Sequence, residues 1–356
     1  MKSIRKKLII GMTFILFSLS LAISIPTRTF ADNKVGEHET DFDLVEQYID
    51  EAIENYLNNT ESLGTAIGIV YGDNVIFKNH GLTEENGKNI TENTVFQIAS
   101  ISKVFTTIII SHLINQGKLS LDDTLSKFYK TSPSFSDITI LQLLTHTSGL
   151  PYDYSQFRIN SDIISNYLSS NTSITPEYIY SNLGFYVLGD IISNITGYSY
   201  DENIKKLISN SLKINDTAVN IKNTHINRII SPHNNYKYNN IDAAAYGLHS
   251  NVLDLTKFIK GVIKAPILKN DLDRAIINSL EAKSGGALGW YQRKVSNEYY
   301  YFHSGKGVDQ MSMLLVNPYS KYGVVILSNG LNYDDVRKLS LVLERIIRTH
   351  ISSIAE

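Results

Sequence analysis

The two ends of this 356-residue chain carry the same kind of pattern, and that likeness constrains its fold more than any other feature. Near the start, Asp41 to Leu57 places Phe42, Val45, Ile49, Ile53 and Tyr56 at helical spacing. Two strand-like runs follow, Gly64 to Val70 and Val75 to Asn79, split by Gly72-Asp73-Asn74, which reads as a hairpin. Near the finish, Leu288 to Val295, Tyr299 to His303, Met311 to Val316 and Gly323 to Leu327 read as strands, and Asp334 to about His350 as a helix. The middle, Val104 to Ala282, is dominated by helical periodicity and polar loops, with an Asn-rich, aperiodic stretch at Asn215 to Asn240. We therefore expect an α+β fold: an antiparallel sheet flanked by helices, built from residues 32–103 and 283–356, with residues 104–282 inserted as an all-helical or mainly helical lobe. No repeat or Pro/Gly/Ser linker divides the chain, and a hydrophobic fraction of 43% is enough to bury a substantial core.

Residues 1–31 stand apart. Lys2, Arg5, Lys6 and Lys7 precede the uncharged run Leu8 to Ile25, and Thr29-Phe30-Ala31 offers a small-residue cleavage site, the pattern of an export signal. The run is also just long enough to span a bilayer, so cleavage and retention as an anchor both stay open. Either way the remainder is expected outside the cytoplasm, secreted or on the outer face of the membrane, touching lipid only through an uncleaved segment. Of the 33 Lys/Arg, five fall in residues 1–31 together with none of the 35 acidic residues, so the rest is net acidic and nucleic acid is a poor partner. There is no cysteine, hence no disulfide or thiol nucleophile.

Phe96-Gln97-Ile98-Ala99-Ser100-Ile101-Ser102-Lys103 reads as the opening of a helix whose apolar residues, Ile101, Val104, Phe105, Ile108, Ile109, Leu113 and Ile114, run almost all round until Gly117. Such a helix is normally buried. Ser100 then lies at its amino end, with Lys103 one turn on and on the same face. A serine hydroxyl needs a base to become a nucleophile, and burial lowers a lysine from its usual 10.4 or so towards that role. Alone the signal is weak: Ser-x-x-Lys also occurs at Ser3 to Lys6, and the plain alternative is a helix cap followed by a surface lysine.

Two further elements follow in order. Tyr180-Ser181-Asn182 precedes the helical stretch Phe185 to Ile195; its tyrosine is suited to moving protons with Lys103 and its asparagine to bonding a substrate amide. Tyr-x-Asn recurs at Tyr56 and Tyr238, so the tripeptide by itself proves little. His303-Ser304-Gly305 ends a strand before a tight turn. The glycine admits a close backbone approach, His303 and Ser304 offer donors for a carboxylate or carbonyl, and the Lys306 N–H is a candidate oxyanion donor beside that of Ser100.

Taken together, Ser-x-x-Lys, Tyr-x-Asn and His-Ser-Gly resemble the ordered motif set of the penicillin-binding proteins and serine β-lactamases. The resemblance is nearest to the branch of class C β-lactamases, DD-peptidases and esterases, which also has stretches similar to Leu143-Leu144-Thr145-His146-Thr147-Ser148-Gly149-Leu150-Pro151, Tyr246 to Ser250 and Gly289-Trp290. It spans about Gly64 to Gly330 and implies two lobes forming one catalytic domain, a cleft between them, acyl transfer through a Ser100 ester, and neither metal nor other cofactor. Ser100, Lys103 and Tyr180 are the implied catalytic residues; Asn182, His303, Ser304, Gly305 and Lys306 are the implied substrate contacts. The implied substrate is a small peptide, ester or β-lactam. A wall peptide or teichoic acid ester next to a D-amino acid is the first expectation; a β-lactamase, or a sensor domain that acylates without turnover, are the alternatives.

The third motif departs from the family's usual sequence. Lys306-Gly307-Val308-Asp309-Gln310 stands where a Gly-Thr-Pro-Gly-Phe-like turn is common, and His303 in place of lysine weakens the fixed positive charge there. None of the nine histidines has zinc-site spacing. His146 has no Gly-x-Ser-x-Gly elbow to serve and reads as structural. Tyr299-Tyr300-Tyr301 reads as strand alternation over one buried face.

Overall fold

The computed structural model describes residues 41–60, 62–153, 159–219, 240–265, 288–295, 298–307 and 309–354. The expected export segment, most of the Asn-rich stretch and the far end of the helical insertion lie outside them.

Both ends of the chain meet in one sheet. Helix α1 (Asp41–Leu57) leads into the hairpin β1 (Gly64–Tyr71) and β2 (Asn74–Gly81), whose turn uses Gly72 at φ +55. Strand β3 (Phe96–Gln97), helix α2 (Ser102–Asn115), helix α3 (Asn182–Thr196), strand β4 (His249–Ser250) and helix α4 (Val252–Lys264) supply the middle. Strands β5 (Tyr291–Val295), β6 (Glu298–Lys306), β7 (Gln310–Asn317) and β8 (Tyr322–Asn329) then return before helix α5 (Tyr333–Ile354). The six-stranded antiparallel sheet has the order β2-β1-β8-β7-β6-β5, and β1 pairs with β8 from Gly64↔Asn329 to Tyr71↔Tyr322.

Antiparallel sheets often leave one face to water, but here both are covered. On one face Ile67, Ile69, Val324 and Ile326 pack with Val45, Ile49 and Ile53 of α1 and Leu339 and Leu343 of α5. On the other, Ala66, Val70, Leu314 and Val325 join Phe105 of α2, Val187 of α3 and Phe258 of α4 in the main core. That is why β1, β7 and β8 are buried along their whole length and read as unbroken apolar runs. It also corrects the expectation for the tyrosine run: Tyr299 is exposed, while Tyr300 and Tyr301 are buried in opposite cores.

The nucleophile segment is a second correction. No helix opens at Phe96: Phe96 and Gln97 pair with Ser250 and His249, Ala99–Ile101 form a single 3-10 turn, and α2 begins at Ser102. The cause is tertiary. The Gln97 N–H donates to Gln310 Oε1 (2.7 Å) and the Ile98 N–H to the Leu248 carbonyl (3.0 Å), while Ala99 sits at φ +45, a left-handed conformation incompatible with a continuing helix.

Candidate active site

Helix α2 is buried on nearly every side, so the Lys103 side chain cannot reach bulk water and is fully buried, whereas Ser100, one turn earlier, is half-buried. Lys103 Nζ lies 3.3 Å from Ser100 Oγ and donates to Asn182 Oδ1 (2.8 Å) and the Ala245 carbonyl (2.9 Å). Its Nζ also sits 4.7 Å from the centroid of the Tyr180 ring and 5.4 Å from that of Phe185. Burial pushes the Lys103 amine well below the usual lysine range, partly opposed by the Asp153 carboxylate.

The second motif is positioned by its neighbours. Ser181 caps α3, accepting from the Gly184 N–H (2.9 Å) and donating to the Pro151 carbonyl (2.7 Å), which brings Asn182 into the first turn facing Lys103. Tyr180 just before the cap is held by His146, which the sequence marked only as structural. The His146 Nδ1 accepts from the Ser181 N–H (3.0 Å), its carbonyl accepts from the Ile179 N–H (2.9 Å), and its ring lies 4.4 Å from that of Tyr180. An Nδ1 that accepts is unprotonated, and burial above all lowers His146 to about 3. Burial raises the Tyr180 phenol, with the Ser100 side chain acting in the opposite sense.

The third motif closes the site from the sheet. A Cβ on Gly305 would stand 2.2 Å from the Ile98 carbonyl oxygen, so only glycine lets β6 lie this close to the nucleophile turn. The Gly307 N–H bonds the Gln310 carbonyl (2.8 Å), and in the β6/β7 register this makes Lys306↔Met311 a non-hydrogen-bonded pair. The Lys306 N–H therefore points off β7, to the side of β6 on which β5 pairs only as far as Phe302 among the described residues. The Lys306 side chain is exposed and Ser304 half-buried. His303 departs from its expected use as a cleft donor. It is buried, its Nδ1 donates to the Ser304 carbonyl (2.7 Å), and burial above all lowers it to about 3, so it is a neutral ring.

The motif residues thus converge, although 79 positions separate Lys103 from Asn182 and about 120 separate Asn182 from His303. Sequence reasoning missed the Ala245 carbonyl, which has no side-chain signature, and Tyr152, Asp153, Tyr178 and Tyr291 around the opening.

A family model for β-lactamases matches residues 49–345, which takes in every motif residue. The chain belongs to the β-lactamase family. As a member it is a serine hydrolase of the β-lactamase and penicillin-binding protein type. Among curated proteins it is 28% identical over 340 residues to Protein flp of Staphylococcus aureus strain MW2, covering 86% of this chain and 67% of that one. It is 24% identical over 290 residues to a β-lactamase of Psychrobacter immobilis, covering 78% and 70%. Among solved structures, a class C β-lactamase superposes with a TM-score of 0.78 at 21% identity over 87% of this chain and 98% of that one. A β-lactamase/D-alanine carboxypeptidase from Pseudomonas syringae gives 0.74 at 19% identity over 85% and 99%. These likenesses establish the fold of this β-lactamase family member, with its antiparallel sheet and surrounding helices.

Proposed function

We propose that this protein is an exported hydrolase that forms an acyl ester on Ser100 from amides or esters next to a D-amino acid, as in wall-peptide DD-peptidation or D-alanyl ester cleavage. The observation that carries the reading is the buried Lys103 amine, 3.3 Å from the Ser100 hydroxyl and fixed by two carbonyl-type acceptors. The opposite shifts of the two candidate bases divide the work between them. Lys103 is lowered and so takes the Ser100 proton, while Tyr180 is raised, stays a phenol near neutral pH, and is suited to delivering a proton to the leaving group. The Ser100 and Lys306 N–H groups are the donors this reading assigns to the oxyanion; one such donor is worth roughly 3 kcal/mol. Asn182, with its Oδ1 committed to Lys103, has its amide end to offer a substrate carbonyl. Export rests on residues 1–31, and the substrates that fit are a wall peptide, a teichoic acid ester or, as the competing reading, a β-lactam.

The test is covalent labelling with a fluorescent penicillin and a fluorophosphonate. Ser100→Ala is expected to abolish it, and label persisting on another residue would refute the reading. Rapid turnover of a chromogenic cephalosporin, with no hydrolysis of D-alanyl esters or peptides, would make the protein a β-lactamase instead.

A further inference from the structure

We infer that the mouth of the cleft selects acyl donors that carry a free ammonium group, held between tyrosine rings and the Asp153 carboxylate, rather than substrates recognised by a carboxylate. This rests on Ser100 being the acylated residue. Three of the nine exposed large hydrophobic side chains among the described residues gather around the second and third motifs: Tyr152 is 60% exposed, Tyr178 62% and Tyr291 39%. The Tyr152 ring lies 6.1 Å from that of Tyr180, Tyr178 meets the His146 ring edge-on at 6.3 Å, and Tyr291 lies 5.2 Å from the His303 ring. Tyr178 and Tyr291 interact with each other although one precedes α3 and the other lies on the edge strand β5. Exposed aromatic clusters mark binding surfaces, and the face of a tyrosine ring attracts a cation within about 6 Å.

The charges at the opening point the same way. Asp153 follows Tyr152, and the buried Tyr186 hydroxyl, one turn along α3 from Asn182, donates towards both of its oxygens at 3.3 Å. Its negative charge is near enough to oppose the lowering of Lys103 by burial. His303, at the position suited to hold a substrate carboxylate, is a neutral ring whose Nδ1 is bonded to Ser304. Lys306 offers a cation, but from an exposed side chain. An aminoacyl ester satisfies this arrangement: its α-amine, with a pKa of about 8, is charged at neutral pH. The Ser100 oxygen bonds the acyl carbon, the ester C–O bond breaks, and the alcohol departs with the proton that Ser100 gave up. Water then cleaves the new ester, releasing the amino acid and restoring the hydroxyl.

The experiment compares D-alanine methyl ester with N-acetyl-D-alanine methyl ester on the full chain, each kcat/KM divided by that ester's own hydroxide-catalysed rate. A normalised preference of about tenfold or more for the free amine is expected, which is about 1.4 kcal/mol. Asp153→Asn should lower that preference several-fold, through KM for the free amine. It also alters Lys103, but that factor is common to both esters and cancels in the ratio. Tyr178→Ala, at an exposed ring, should lower it too if Asp153→Asn folds poorly. A preference at or below one, or one that neither variant changes, overturns the inference while leaving Ser100 chemistry standing. Absence of Ser100-dependent turnover of both esters, with no fluorophosphonate label, overturns the acyl-enzyme reading itself.

Discussion

Gly305→Ala tests whether β6 must lie against the nucleophile turn for Ser100 to react. The added methyl would sit 2.2 Å from the Ile98 carbonyl oxygen, 2.4 Å from Ser312 Oγ and 3.1 Å from Ala99 Cβ. Carbon and oxygen settle at about 3.3 Å, so strand and turn must part by roughly 1 Å. Two of those neighbours cannot swing away: Ile98 is backbone, and Ser312 Oγ donates to the Ile98 carbonyl (2.9 Å) and approaches the Gly305 carbonyl (3.3 Å), tying β7 to both. Overpacking should cost about 1–3 kcal/mol of stability. The effect on chemistry is larger in proportion, because the Lys306 N–H moves with the strand, and an oxyanion donor displaced by about 1 Å costs on the order of 100-fold in rate. Urea unfolding reads the first quantity, and the rate of Ser100 labelling by a fluorescent penicillin reads the second. Acylation within about threefold of wild type in a variant that is destabilised as expected would refute the claim that this contact sets the oxyanion geometry.

His146→Asn keeps a residue that tolerates the φ of +59 found here but removes the imidazole that orders Tyr180. It should slow acylation by roughly 10- to 100-fold and cost about 1–3 kcal/mol for the stranded Ser181 N–H, with no loss of any titration near pH 6.5, since His146 is held at about 3. Lys103→Met should change how stability depends on pH. The folded lysine is lowered below its unfolded value, so between the two the unfolded chain holds more protons and wild-type stability rises with pH, by at most about 1.4 kcal/mol per unit. The difference in unfolding free energy between wild type and variant should therefore shift in favour of wild type as pH rises towards about 10.4, and a difference that is flat across that window would mean the buried amine is not neutralised by folding.

The elements at the two ends were legible because their periods are clean. The Asp41–Leu57 helix has the bounds expected of it, and the terminal strands begin or end within three residues of theirs. The nucleophile segment was misread for a physical reason. A stretch buried on all sides has no polar face to betray its period, and what stops a helix from starting at Phe96 is a set of partners far along the chain, Leu248, His249 and Gln310. Candidate site residues with a side chain of distinctive chemistry, Ser100, Lys103, Tyr180 and Asn182, could be named because their ordered motifs resemble those of a known family. Ala245 could not, because it contributes a backbone carbonyl and any residue has one. Tyr152, Tyr178 and Tyr291 were hidden differently: with 22 tyrosines in the chain, only the fold shows which of them share an opening.

The geometry around Lys103 explains how one amine can be both fixed and reactive. A charged ammonium has three protons and could donate to all three neighbours, but it would have to be held, charged, where no water reaches it. A neutral amine has two, and the two shorter contacts, to Asn182 Oδ1 at 2.8 Å and the Ala245 carbonyl at 2.9 Å, take them. The lone pair is then left for the third and longest contact, the Ser100 hydroxyl at 3.3 Å, which becomes the donor. Burial thus favours the neutral form, and the two carbonyl acceptors select the orientation. In the acylation proposed above, the amine that takes the Ser100 proton would become an ammonium whose new N–H faces the activated oxygen, while the other two bonds stay where they were. No side chain would have to reorient between resting state and attack, the preorganisation that suits a serine in the turn before α2 and a lysine in its first turn to the proposed roles of nucleophile and base.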